Sequence, residues 1–263
     1  MKSLIGYIEK CGARQASDDN LLAGFLRKVG RNQPRRSWFA GARKRANKMT
    51  SRNVFITGGT GYIGQRLIPE LLRRGHTVRA LARRGSEAKL PAGVQAVIGD
   101  PLNRETFADQ VSPADTFVQL VGVPHPSPAK AAQFRAIDLV SIQQSVPAAV
   151  AAGIKHFVYV SVAHPAPTMK AYIEVRSEGE RLIRDSGLRA TILRPWYVLG
   201  PSHRWPYLLV PAYKLFELLP ATRESAQRLG LVTLKQMIAA LASAVDNPSD
   251  NHHVVEVPEI KRL

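Results

Sequence analysis

Three glycines at a spacing of three constrain this chain more than any other feature. The stretch Thr57-Gly58-Gly59-Thr60-Gly61-Tyr62-Ile63-Gly64 places them at 58, 61 and 64. Before them, Asn53–Thr57 reads as a buried strand. After them, Tyr62–Arg74 reads as a helix with Ile63, Leu67, Ile68, Leu71 and Leu72 on one face, ended by Gly75 as a C-terminal cap residue. In a strand–turn–helix unit the first glycine permits the tight turn. The second lets the backbone approach a pyrophosphate, and the third lets helix and strand pack closely. The helix N-terminus adds N–H donors and a partial positive charge. A bare glycine pattern is weak evidence, but here the required strand and helix flank it.

From residue 53 the pattern alternates. Strands are expected at Thr77–Ala82, Val94–Ile98, Asp115–Val121, His156–Val162 and Ala190–Leu193. Helices are expected at Asn103–Gln110, at Ala129–Ala152 with a bend near Pro147, and at Lys170–Ser186 before Gly187. Strands separated by helices need crossover connections. They predict an α/β Rossmann fold, a doubly wound parallel sheet covered on both faces. After Pro195 the order loosens. Helices at Tyr207–Leu219 and Thr233–Asp246 and a strand at His253–Val257 are expected there. The predicted division is a basic arm over 1–48, a dinucleotide-binding domain over 49–201 and a small C-terminal part over 202–263.

The net charge of +17 is concentrated in the arm. Residues 1–52 hold 13 Lys/Arg against 3 Asp/Glu, and 53–263 hold 24 against 17. The arm is open to four readings: a translated upstream region with Met49 as the start, an organelle presequence, a basic arm for nucleic acid or anionic lipid, or a solvated tail. The nucleic-acid reading rests on charge alone. Leu4–Ile8 is too short for the apolar core of a secretory signal. Pro206–Pro220, the longest apolar candidate for a membrane span, is broken by Pro211, Lys214 and Glu217. Cys11 is the only cysteine, which suits a reducing compartment. The expectation is a cytoplasmic protein, with organelle targeting through the arm as the alternative. The adjacent His252 and His253 lack accompanying ligands, so no metal site is expected.

The glycine spacing is that of the short-chain dehydrogenase/reductase superfamily, and it resembles the extended and atypical branches in particular. These include NAD-dependent epimerase/dehydratase-like proteins, NmrA-like regulators and the nucleotide-binding subunit of respiratory complex I. The resemblance runs from about Asn53 to Pro201. It takes in Gly99-Asp100-Pro101-Leu102, Gly153 through Ser161, and Ser186-Gly187-Leu188 through Arg194-Pro195. It implies that Gly58, Thr60, Gly61, Tyr62, Ile63 and Gly64 hold the cofactor, that Asp100 contacts adenine, and that Pro195 lies in the segment closing over the nicotinamide. A turn-capping role for Asp100 is the alternative. Trp196, Tyr197 and His203 become candidate pocket residues, with packing between sheet and helices as their alternative.

The end of the second strand decides between NAD and NADP. An NAD site usually places an acid there for the ribose 2′-OH. Here the stretch is Val78-Arg79-Ala80-Leu81-Ala82-Arg83-Arg84, with no acid between Glu70 and Glu87. Arg83 and Arg84 suit a 2′-phosphate, so NADP(H) is expected over NAD(H). The family's working groups are Ser, Tyr and Lys, the last two spaced Tyr-x-x-x-Lys. Ser161 matches the Ser and Tyr172 the Tyr, but Arg176 stands where Lys is expected. Arg176 then either acts beside Tyr172 in catalysis or pairs with Glu180 one turn on. The resemblance implies an oxidoreductase or epimerase/reductase on a small carbonyl or hydroxyl substrate. The alternative is a non-catalytic NADPH-binding sensor or accessory subunit.

Overall fold

The computed structural model describes residues 51–166, 168–200 and 228–263; the arm, His203 and the expected 207–219 helix lie outside them. Seven strands form one sheet in the order β3-β2-β1-β4-β5-β6-β9. They are β1 (Asn53–Thr57), β2 (Thr77–Ala82), β3 (Gln95–Ile98), β4 (Thr116–Gln119), β5 (His156–Val160), β6 (Ala190–Arg194) and β9 (His252–Glu256). Every pairing in it is parallel. A separate parallel pair joins β7 (Tyr197–Leu199) to β8 (Leu231–Thr233). The helices are α1 (Gly64–Arg73), α2 (Val140–Ala151), α3 (Lys170–Asp185), α4 (Leu234–Asp246) and the short α5 (Val257–Ile260). The strand order reverses between β1 and β4, which opens a crevice beyond the carboxyl ends of those strands. This is the doubly wound fold that the alternation predicts.

Two apolar layers sandwich the sheet. On one face Val54, Ile56, Val78, Ala80 and Val118 meet Leu67, Ile68 and Leu71 of α1 and Met237, Ala240 and Leu241 of α4. On the other, Phe55, Phe117, Phe157 and Tyr159 meet Ile142 and Val146 of α2 and Ile183 of α3. Strand residues alternate between the layers because successive side chains point to opposite faces. In-register pairing sets Phe55 beside Phe117 and Phe117 beside Phe157. Their ring centroids lie 5.3 and 5.1 Å apart.

The C-terminal residues belong to this same core. β9 is the seventh strand, and α4 starts at a capping box between Thr233 and Gln236. At its other end Asp246 accepts from Arg74 and, at 2.9 Å, from His76 Nε2. His76 Nδ1 accepts the Arg52 N–H at 3.1 Å, so its proton must sit on Nε2.

The segment before α2 departs from expectation. A regular helix bent near Pro147 was predicted. The chain instead passes through an α turn at Ala131–Gln133 and a π turn at Phe134–Leu139, and remains α-helical through Pro147. A π turn takes in one extra residue per turn. Here it buries both Phe134 and Asp138. The expected helix Asn103–Gln110 is two 3₁₀ turns, Arg104–Thr106 and Ala108–Gln110.

Two outcomes follow from the core. Truncating Phe117 to Ala removes the middle ring of the row, and denaturant unfolding should show a loss of about 3–5 kcal/mol. His156 is fully buried, with Nε2 3.0 Å from Thr191 Oγ1. Burial, with Arg52 and Arg189 nearby, pushes its pKa down from 6.5 to about 4. The folded chain therefore binds fewer protons than the unfolded one between these values. The stability this gives is present above pH 6.5 and is lost as pH falls toward 4, amounting to about 3 kcal/mol in full. Urea unfolding across that range should show the loss, and His156→Gln should flatten it.

Candidate functional site

The glycine loop is seated by backbone contacts that leave no room for side chains. Gly58 has φ +75°, and a Cβ on it would lie 2.8 Å from the Leu120 carbonyl carbon and 2.9 Å from the Val121 nitrogen. One on Gly64 would lie 2.5 Å from the Gly58 oxygen. The loop is thus pressed against the chain leaving β4, and α1 is pressed against the loop. Gly61 is exposed, its N–H bonded to the Gly58 oxygen at 3.0 Å. The first turn of α1 has no acidic residue to oppose an anion. A glycine cradle at an unopposed helix N-terminus fits a pyrophosphate. Thr60 is half-buried in the loop, and Ile63 packs on the core below it. The Tyr62 ring lies under the Arg66 guanidinium at 4.2 Å. Its hydroxyl rests against Gly200, where any side chain would overlap it.

At the carboxyl end of β2, Arg83 and Arg84 are exposed, on a turn closed by the Ser86 N–H to the Arg83 oxygen at 2.8 Å. Neither makes an ion pair among the described residues. Asp100 Oδ1 accepts the Leu102 N–H at 2.9 Å, which is the turn-capping arrangement. Past β6, the Pro195 oxygen accepts the Ala163 N–H at 3.0 Å. Trp196 packs against the core and meets the Tyr197 ring edge-on at 6.3 Å. Burial pushes the Tyr197 hydroxyl pKa up.

Tyr172 stands in the first turn of α3, half-buried. Its ring packs on Phe134 at 4.9 Å, in a cluster with Val123 and Val175. No hydrogen bond to its hydroxyl occurs among the described residues. Arg176 shares its helix face, with Cζ 5.1 Å from the Tyr172 ring centre. The Arg176 guanidinium, however, is turned into the protein and the residue is only 5% exposed. Nη1 donates to the Val160 oxygen at 2.8 Å. Nη2 donates to Asp138 Oδ1 at 2.6 Å and reaches the Val121 oxygen at 3.5 Å. Asp138 Oδ2 accepts the Val123 N–H at 3.0 Å. Burial pushes the Asp138 carboxyl pKa up, against the pull of the Arg176 guanidinium.

The ion-pair reading of Arg176 therefore needs correcting, because its partner is Asp138 rather than Glu180. Glu180 is engaged elsewhere. It accepts from Ser161 Oγ at 2.6 Å and from Arg194 Nε at 2.9 Å, with His164 Nε2 3.6 Å away. Burial opposes its charge, but His164, Arg194 and Ser161 outweigh that and hold its carboxyl at about 2. Ser161 is itself 2% exposed and gives its proton to Glu180.

Residues 58–224 match the model of a protein family described as NAD(P)H-binding. The chain belongs to that family. A nicotinamide dinucleotide is its cofactor class, and its fold is that of a solved short-chain dehydrogenase/reductase superfamily protein of Agrobacterium tumefaciens with bound NAD. Among curated proteins it is similar to a 4-hydroxy-2-methyl-3-oxo-4-farnesyl-3,4-dihydroquinoline-1-oxide ketoreductase of Stigmatella aurantiaca. The two are 27% identical over 169 residues, 56% of this chain and 50% of that one. It is also similar to a 3-diazoavenalumate denitrifying reductase of a Streptomyces species, at 31% identity over 57% of each chain. The chain spans about half the length of these relatives. Among solved structures it shares its fold with the enzyme WbmH of Bordetella bronchiseptica in complex with NAD+. The TM-score is 0.59 at 22% identity, covering 79% of this chain and 76% of that one.

Asp138, Gly122 and Arg194 were missed by the sequence reading of this NAD(P)H-binding chain. Asp138 did leave a signal, a lone acid in the apolar run Phe134-Arg135-Ala136-Ile137-Asp138-Leu139-Val140. Gly58 gives the direct test of the cradle. Gly58→Ala forces a methyl into the Leu120–Val121 backbone at a positive φ, and dinucleotide affinity by calorimetry should fall at least about tenfold.

Proposed function

We propose that this chain is an NADP(H)-dependent reductase of small carbonyl compounds, with Tyr172 as its proton donor. The observation that carries this reading is the place of Tyr172, half-buried in the first turn of α3 under the Arg176 guanidinium and packed with Val123 on the loop that backs the glycine cradle. When bound, the cofactor supplies a hydride to the substrate carbon. Tyr172 gives its phenolic proton to the carbonyl oxygen as charge develops there, and water then replaces that proton. The printed names of both curated relatives, a ketoreductase and a denitrifying reductase, agree with a reducing role.

Arg83 and Arg84 support the 2′-phosphate. They are exposed and without ion pairs among the described residues, at the end of β2, where this fold meets the adenosine ribose. Pro195 and Asp100 keep their assignment to the nicotinamide and adenine ends, and Tyr197 to the pocket. A second reading, an NADPH-binding sensor or accessory subunit, draws support from one fact. Ser161 and Arg176 are both committed to buried carboxylates.

Two measurements test the proposal. NADPH should bind at least about tenfold tighter than NADH, and the double variant Arg83→Ala, Arg84→Ala should erase the difference. Equal affinities in the native chain would overturn the cofactor assignment. Stopped-flow NADPH oxidation across a carbonyl panel should show turnover that Tyr172→Phe lowers about a hundredfold or more, with dinucleotide affinity retained. Binding without turnover on every substrate would favour the sensor reading.

A further inference from the structure

We infer that Arg176 and Asp138 are positioning residues that hold the wall of the cofactor crevice by clamping the chain leaving β4. This deepens the proposed function, because it rests on the crevice being the dinucleotide site. The clamp has four strands of attachment. Asp138, in the π turn, takes the Val123 N–H at 3.0 Å on one oxygen and Arg176 Nη2 at 2.6 Å on the other. Arg176, on α3, takes the Val160 oxygen at the end of β5 at 2.8 Å and the Val121 oxygen at 3.5 Å. One buried ion pair thus ties α3, the π turn, β5 and residues 121–123 together.

The far side of the same short segment carries the phosphate loop. Gly58 packs its Cα against Leu120 and Val121, so that a Cβ there would lie 2.8 Å from backbone. Residues 120–123 are pressed from one side by the glycine cradle and gripped from the other by Arg176 and Asp138. Gly122 completes the fit. A Cβ on it would overlap Arg176 Nη2 and would lie 3.1 Å from Asp138 Oδ1. A long side chain could usually swing aside, but this guanidinium is fixed by the carboxylate and the Val160 carbonyl. Lysine does not replace it. An ammonium is a compact point charge that lacks the planar fork, which here spans a carboxylate and a carbonyl at once.

A variant series separates clamping from bulk stability. Arg176→Met and Asp138→Leu each leave a buried charge without its partner, and each should lower the melting temperature by on the order of 10 °C. The double variant removes both charges and should recover most of that loss. It should not recover the wall. Hydrogen exchange at the Val123 amide should stay at least about tenfold faster than in the native chain, and NADPH affinity at least about tenfold weaker. Gly122→Ala should weaken binding in the native background and do so far less beside Arg176→Met, because the overlapping atom is then gone. Arg176→Lys should lower the melting temperature and leave any turnover no higher than native. Native exchange at Val123 and native affinity in the double variant would overturn the inference, as would a rise in turnover with Arg176→Lys. Exchange at Val123 is read without dinucleotide. A native chain that binds none would therefore count against the functional reading alone.

Discussion

Residues 120–123 leave β4 between two neighbours that both demand close backbone approach. On one side Gly58, at φ +75°, brings the phosphate loop within van der Waals contact of Leu120 and Val121. On the other, Gly122 admits the Arg176 guanidinium. Each contact requires a glycine because backbone or a fixed charge occupies the space of a Cβ. The crevice of a doubly wound sheet lies where the strand order reverses, here between β1 and β4. The segment that both neighbours grip therefore lines that crevice, with Val123 at its end packed in the cluster that holds Tyr172.

Two buried charges of opposite sign sit one turn apart on α3, and they do not pair with each other. Arg176 is satisfied by Asp138 from the π turn, and Glu180 by Arg194 from β6 and by Ser161. Each pair must first offset the desolvation of its two charges, so neither is by itself strong evidence of stability. What outward pairing adds is direction. Had Arg176 and Glu180 joined along the helix, they would have stiffened α3 without telling it where to dock. Paired outward, they fix its rotation against β4, β5 and β6. That rotation is what brings Tyr172 onto Phe134 beside the loop after β4.

The periodic parts of the fold were legible in the sequence because their cause is local. Strand alternation, the apolar face of α1 and the glycine spacing can each be read within a dozen residues, and each has its counterpart in the structure. The π turn was not legible, because an apolar stripe reports a helix without reporting how many residues fill one turn. The strands β7 and β8 are three residues each, too short to leave a pattern. At the site the limit was different. From the sequence alone, Arg176 could be weighed only against neighbours on its own helix, Tyr172 and Glu180. Its partner lies 38 residues away in another element. Ser161 was placed correctly at the end of β5, but the direction of its hydroxyl depends on Glu180, which arrives from α3.

The replacement of lysine by arginine at position 176 then reads as a change of job rather than a conservative exchange. A lysine ammonium can reach out toward a ribose and a phenol because three rotatable donors surround one point charge. Guanidinium donors lie in a plane, and here Nη1 and Nη2 are taken up from within by Val160, Asp138 and Val121. The charge itself stays beside the phenol, with Cζ 5.1 Å from the Tyr172 ring centre. What the exchange removes is a donor free to rotate toward a ligand, and what it adds is a planar fork that ties α3 to β5, the π turn and the chain leaving β4 at once.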